Sequence, residues 1–356
     1  MILIKNGRVW SGTQFQEGDV LMEHDKVKRI GVVGREDAAR VEFVFDAGGC
    51  IVAPGFVDIH THMRNISSDE FGICPEAVCF PFGVTAAVDA GCVQGGKVWL
   101  DALAVKNGIF VNAPIRANKV DFTETERLLG EYGEKVLGIK AYFDSTSGQV
   151  TDTKPLREIC EYAHSWGLKV MVHCSYAPVS MEEVFGCLEK GDICTHTYHG
   201  IKSTVLEDAF ASLMEAKERG VVIDSGMAGG VHTDFEILKA AIEAGAAPDT
   251  ISSDITLCSA FKRGGRYGLT TCMSIMRHLG MGEEQILKAL TSEAAKAVGK
   301  QSEWGLLREG HCADVAVLRY TDEGFDMTDK AGNLIQSDRG YRCVMTIADG
   351  QVVYRD

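Results

Sequence analysis

Five segments of this sequence carry side chains that bind metals or move protons. Asp58-Ile59-His60-Thr61-His62 sets two imidazoles two residues apart. In extended backbone such positions face the same side, so both rings can reach one cation. Lys140, His173, His196 and Asp254 follow, each within or at the end of a short apolar run. Neutral imidazole and carboxylate are donors that suit zinc, with manganese, cobalt and iron as alternatives. A strand histidine alone is more often a core or surface residue, and a lone H-x-H pair arises by accident. Lys140 is harder to dismiss, because it stands between Ile139 and Ala141 and an ammonium buried without a partner is costly.

The elements that must position these residues recur along the chain. Apolar runs lie at 51–59, 84–90, 109–115, 135–143, 169–174, 193–197, 221–225 and 250–254, with centres about 23 to 33 residues apart, the length of a strand plus a crossover helix. Between them lie segments of helical period, such as 153–166 with Leu156, Ile159, Cys160 and Ala163 on one face, and 207–219. Eight such units predict an α/β fold, a closed (βα)8 TIM barrel over residues 51–307. An open doubly wound sheet competes, but its Gly-rich phosphate turn G-x-G-x-x-G is missing. Residues 1–50 and 308–356 read instead as short strands broken by glycine turns, and predict one small β-sandwich domain assembled from both ends. Asn6-Gly7 and Asp349-Gly350 look like its hairpin turns. In a parallel barrel the C-terminal strand ends share one mouth, which is where the candidate ligands fall.

Composition narrows the partners. The 356 residues hold 36 Lys+Arg against 50 Asp+Glu, a net charge of −14, and 46% are hydrophobic. Disorder is excluded, and nucleic acid is not an expected partner, since binding phosphates needs a concentrated basic face. The twelve cysteines form no C-x-x-C pair and sit mostly in apolar contexts, as reduced thiols do. With no secretion signal and no apolar run of membrane length, a cytoplasmic location is expected, and the sequon Asn65-Ile66-Ser67 is a chance match.

The string APGFVDIHTH, followed in strand order by Lys140, His173, His196 and Asp254, resembles the amidohydrolase superfamily of metal-dependent hydrolases. The resemblance runs from ILIKNGRVW at the start through SEAAKAVG (292–299) to WGLLREGHCADVAVL (304–318). It implies two divalent metals, usually zinc, with His60, His62 and Asp254 on one, His173 and His196 on the other, and Lys140, carboxylated by CO2, bridging both. Carboxylation would turn a costly buried cation into an anionic oxygen ligand. A water shared by the metals would ionise near neutral pH and attack the scissile carbonyl, and Asp254 would accept its proton and pass it to the leaving atom.

Within the superfamily, Cys174-Ser175-Tyr176-Ala177 after His173 lacks the acid that mononuclear deaminases carry there, so deamination is demoted. Asp58 to Arg64 fits the D-x-H-x-H-x-R string of cyclic-amide hydrolases such as dihydroorotase, whereas 73–95 and THTYHG (195–200) look like a branch that deacetylates acylated α-substituted carboxylates. The reading favoured here is removal of an acyl group from a small carboxylate. Ring opening of a cyclic amide is the alternative, and a non-catalytic assembly protein is disfavoured by the complete ligand set. Arg64, Arg116, Tyr198 and His199 are candidate substrate contacts, with Arg263 and Arg266 behind them. His232 reads as a structural or surface residue. A homo-oligomer is compatible with the resemblance.

Overall fold

The computed structural model describes residues 1–64, 72–91, 96–146, 150–262 and 266–356; Arg263 and the sequon at 65–67 lie outside them. Seven parallel strands neighbour one another in chain order: Phe56–Thr61, Val84–Asp89, Lys106–Ala113, Val136–Tyr142, Lys169–His173, Ile193–Thr195 and Val222–Ile223. The first two are buried along their whole length, as strands covered on both faces must be.

The eighth run closes the ring without forming a continuous strand. Thr250 bridges Asp224 just past the seventh strand, and Ile255 bridges Thr61 on the first. Backbone bonds from Ser225 N to Thr250 O, Met227 N to Ser252 O and Asp254 N to His60 O stitch this one segment to both edges. The expected strand 250–254 is therefore a seam, because Asp254 takes a φ of 48°, which strand geometry does not allow.

Helices pack around the barrel by their apolar faces. Lys154–Ser165 buries Leu156, Ile159, Cys160 and Ala163, the face its period predicts. The helix expected from residue 207 starts only at Ala211, because Ala209 and Phe210 are left-handed and the Asp208 carboxylate accepts a bond from Ser212 N. No helix among the described residues is long and apolar enough to cross a membrane.

Both ends of the chain build a second sheet, ordered Gln351–Arg355, Gly340–Ala348, Val315–Thr321, Ile51–Pro54, Ile2–Trp10, Phe15–Glu23, Lys26–Ile30. The expected sandwich is realised as one forked sheet. Residues 2–5 pair with Phe43–Asp46 while Arg8 and Val9 pair with Ile51 and Val52. Ile4, Val9, Val20, Val52, Val315 and Ile347 share its core. The run 51–59 is thus divided: Ile51–Pro54 lies antiparallel to Val315–Thr321 in this sheet, and the chain enters the barrel at Phe56. Gly55 marks the crossing, where a Cβ would collide with Thr85. Asp349-Gly350 is a hairpin turn with both φ positive, but Asn6-Gly7 is not; Asn6 sits at an irregularity inside the strand Ile2–Trp10.

Lys106, at the start of the third barrel strand, ties the two sheets together. Its ammonium lies 2.9 Å from Asp314 and 2.7 Å from Asp349, and Asp314 is buried. Burial opposes its charge, yet these two carboxylates raise its pKa above the ordinary lysine value. Lys106→Met strands the Asp314 carboxylate and should lower stability by about 2 kcal/mol, less than a fully buried pair because the lysine is partly solvated. Denaturant unfolding measures this, and an unchanged midpoint would show the pair to be idle.

Candidate metal centre

Six donors from five segments converge at the C-terminal mouth of the barrel. His62 Nε2 lies 2.8 Å and His60 Nε2 3.4 Å from Asp254 Oδ1, while His196 Nε2 is 3.8 Å from Asp254 Oδ2. Lys140 Nζ, with its residue only 3% exposed, is 3.2 Å from His60 Nε2. The His173 and His196 rings meet edge to face with centroids 4.6 Å apart, and Tyr142 stacks on His173 at 4.2 Å. Strand alternation aims these side chains inward, and the left-handed turns at His196 and Asp254 bend the backbone just where these side chains leave their strands.

The atoms behind the imidazoles fix which nitrogen faces the centre. Thr195 Oγ1 donates to Asp224 Oδ2 at 2.7 Å, which leaves the hydroxyl to accept from His60 Nδ1 at 3.0 Å and turns the bare Nε2 inward. His196 Nδ1 donates to Gly226 O at 2.6 Å, with the same result. Asp224 also accepts from Thr250 and Ser252, and Asp58 accepts from the Ser253 amide and hydroxyl and from His60 N. Burial pushes the Asp58 carboxyl up to about 7 against these bonds. Burial likewise holds His60, His173 and His196 far below the ordinary histidine value, with neighbouring cationic groups adding to it. Neutral rings with inward lone pairs are what a metal requires.

The donors fit a divalent cation. His173 Nε2 is buried with no hydrogen-bond partner, an arrangement that costs free energy unless something polar occupies the space it faces. Donor atoms of His60, His62 and Asp254 lie within 4.8 Å of one another, and so do those of His173, His196 and His232.

Two residues at this centre escaped the sequence reading. His232, expected to be structural or surface, follows the seventh strand and stands against His196 and His173, at centroid distances of 4.4 and 5.0 Å. Asp144, four residues after Lys140, is buried with Oδ2 3.8 Å from His173 Nε2 and Oδ1 bound by Thr146. A polar residue shortly after a barrel strand was the available signal for both.

The candidate substrate contacts divide. His199 accepts the Ile201 amide on Nδ1 and leaves its buried Nε2 without a partner, and burial, then His232, lowers its pKa to about 4. Tyr198 is corrected: it is wholly buried and donates to Ala246 O, so it packs and does not line the mouth. Arg116 is exposed on a short hairpin with Lys119–Val120. Arg64, half-buried, borders an apolar recess formed by Ile73, Val78, Phe82 and Leu257, and Arg266 is exposed over a different cleft beside Tyr341.

The profile described as "Amidohydrolase family" matches residues 113–354. A deacetylase of Enterococcus faecalis is 24% identical over 99% of this chain and 98% of its own length. A deacetylase of Brucella anthropi is 27% identical, over 90% and 84%. A dihydroorotase of Anaeromyxobacter dehalogenans is 26% identical, over 100% and 98%. Among solved structures, a dihydroorotase superposes with a TM-score of 0.87 at 23% identity, covering 100% of both chains. An adenine deaminase follows with 0.83 at 23% identity, covering 100% and 99%. At that identity the two structures speak for the fold.

Thr195→Val removes the hydroxyl that orients His60 while keeping shape and strand preference. Metal affinity should fall about 10- to 100-fold with the fold intact. Titration against a chelating dye measures this; unaltered affinity would mean that His60 is held by packing alone.

Proposed function

The chain belongs to the amidohydrolase family, and on that premise we propose that it hydrolyses the amide or ester bond joining an acyl group to a small carboxylate-bearing molecule. The observation that carries the reading is the convergence of His60, His62, Asp254, His173 and His196 around a buried lysine. The deacetylase names of two relatives that align over most of the chain support acyl removal. The dihydroorotase names, together with Arg64 placed two residues after His62, favour ring opening of a cyclic amide as the second reading.

In this proposal His60, His62 and Asp254 would hold one divalent cation and His173 and His196 a second, with Lys140, if carboxylated, supplying a further oxygen donor, and zinc the best match to the donors. Bound there, such cations supply Lewis acidity, which ionises water near neutral pH and polarises a carbonyl. Asp254 takes the proton released from water and delivers it to the leaving nitrogen or oxygen. Its carboxylate can do so because the bond from Asp254 N to His60 O fixes it over the centre. His199 donates from Nε2 to a substrate oxygen, a direction set by the Ile201 amide on its other nitrogen. Arg64 offers a guanidinium to the carboxylate. The barrel, residues 51–307 apart from Ile51–Pro54, does the chemistry, and residues 1–50 and 308–356 support it. The free thiols of the described cysteines suit a cytoplasmic setting.

Asp254→Asn should keep its metal and lose about 10²- to 10⁴-fold in turnover. Elemental analysis and kinetics on one preparation test this, and an active Asn variant would remove Asp254 from proton transfer. Stripping with a chelator should abolish activity, and zinc should restore it. N-acetyl and O-acetyl acids assayed beside dihydroorotate separate the two readings, since turnover of dihydroorotate alone would overturn deacylation.

A further inference from the structure

A two-stranded hairpin, separate from the larger sheets, reaches the mouth of the barrel. Phe325–Thr328 and Leu334–Ser337 pair with each other and interrupt the chain between Val315–Thr321 and Gly340–Ala348. Its turn docks on the loop that follows the seventh barrel strand. Asp329, buried, accepts from Phe235 N at 2.8 Å and from Asn333 N at 2.9 Å, and Lys330 N donates to Gly230 O at 3.0 Å. Gly230 permits this approach, because a Cβ there would come within 2.9 Å of Thr328 O. His232 stands two residues further on.

From this docked turn the Lys330 side chain reaches Tyr176, in the loop that follows His173. The ammonium lies 4.6 Å from the Tyr176 ring centroid and is hydrogen-bonded to its hydroxyl. Tyr176 is pinned in turn, since Ser145 donates both its amide and its hydroxyl to Tyr176 O, and Lys202 Nζ donates to Ser145 Oγ at 3.3 Å. Loops after the fourth, fifth, sixth and seventh strands therefore meet at one place on the rim. Among the described residues no carboxylate lies within ion-pairing distance of Lys330, whose partners are the neutral ring and hydroxyl. Its charge still counts among the influences that lower the pKa of His232, after burial.

We propose that Lys330 is a specificity-determining residue whose ammonium binds the carboxylate of the substrate at the rim between the His173 and His232 loops. A neutral aromatic partner keeps the cation in position without neutralising it, and an incoming carboxylate is a stronger acceptor than the Tyr176 hydroxyl. A protein of net charge −14 repels anions at long range, so such a substrate needs a local cation. The inference rests on the reading above only in taking the substrate to bear a carboxylate, and it adds a contact from outside the barrel.

The test compares the metal-loaded protein with Lys330→Met and Lys330→Arg, using N-acetylalanine and the uncharged N-acetylalaninamide. Lys330→Met should raise KM for the acid about tenfold with kcat nearly constant and leave the amide unaffected, and Lys330→Arg should restore most of the loss. Equal loss on both compounds, or none on either, overturns the inference. If the unsubstituted enzyme hydrolyses neither compound, deacylation of this amide fails separately from the role of Lys330. Calorimetric titration with the same pair then decides Lys330: a preference for the acid that disappears in Lys330→Met supports the role, and an unchanged or absent preference sinks it.

Discussion

The Asp58 carboxylate accepts both the amide and the hydroxyl of Ser253, and this clamp holds the seam where the barrel closes. Residues 250–255 join the first strand to the seventh, and Asp254 projects from the same segment. Its left-handed backbone is strained for a residue with a side chain. Bonds on either side, from Asp254 N to His60 O and from His62 N to Ile255 O, hold it there. Barrel closure and the geometry of the candidate centre are thus one event. If the seam opened, the two edges of the sheet and the shared carboxylate would be lost together.

Behind the seam lies a layer of hydroxyls where a core would ordinarily be apolar. Thr195, Thr250 and Ser252 converge on Asp224, and Thr195 carries the contact onward to His60. A buried carboxylate is tolerable only when its lone pairs are filled, and three hydroxyl donors fill them without a second charge. Using hydroxyls has a directional consequence. A hydroxyl that gives its proton to Asp224 can only receive from His60, so the tautomer of His60 is decided one residue away from the centre.

That His60, His62, Lys140, His173, His196 and Asp254 share one end of the barrel could be read from the sequence because the rules behind it are local. Period-two alternation put His60 and His62 on one side, and the cost of a buried ammonium singled out Lys140. What could not be read depended on how the chain turns after leaving a strand. Tyr198 and His199 both follow His196, whose left-handed φ accompanies a tyrosine that reaches Ala246 O and a histidine that takes the Ile201 amide on Nδ1 and keeps Nε2 buried without a partner. His232, Asp144 and Lys330 gain their positions from loops and a hairpin whose paths are settled by distant contacts such as Asp329 with Phe235 N. Asn6-Gly7 misled for the same reason: left-handed residues serve a bulge as well as a turn, and the neighbouring strands decide which.

The placement of Ile51–Pro54 bears on how the protein is made. One edge of this strand pairs with Ile2–Trp10, but the other waits for Val315–Thr321, which leaves the ribosome only after nearly all of the barrel. Until then an apolar strand keeps an open edge, the feature that recruits neighbouring chains into aggregates. Lys106 faces the same delay, since Asp314 and Asp349 follow the barrel in the chain. The strand that leads into the barrel is therefore sealed only after the barrel's own strands have been made, so the segment most exposed to mispairing during synthesis is one that lies fully buried in the finished fold.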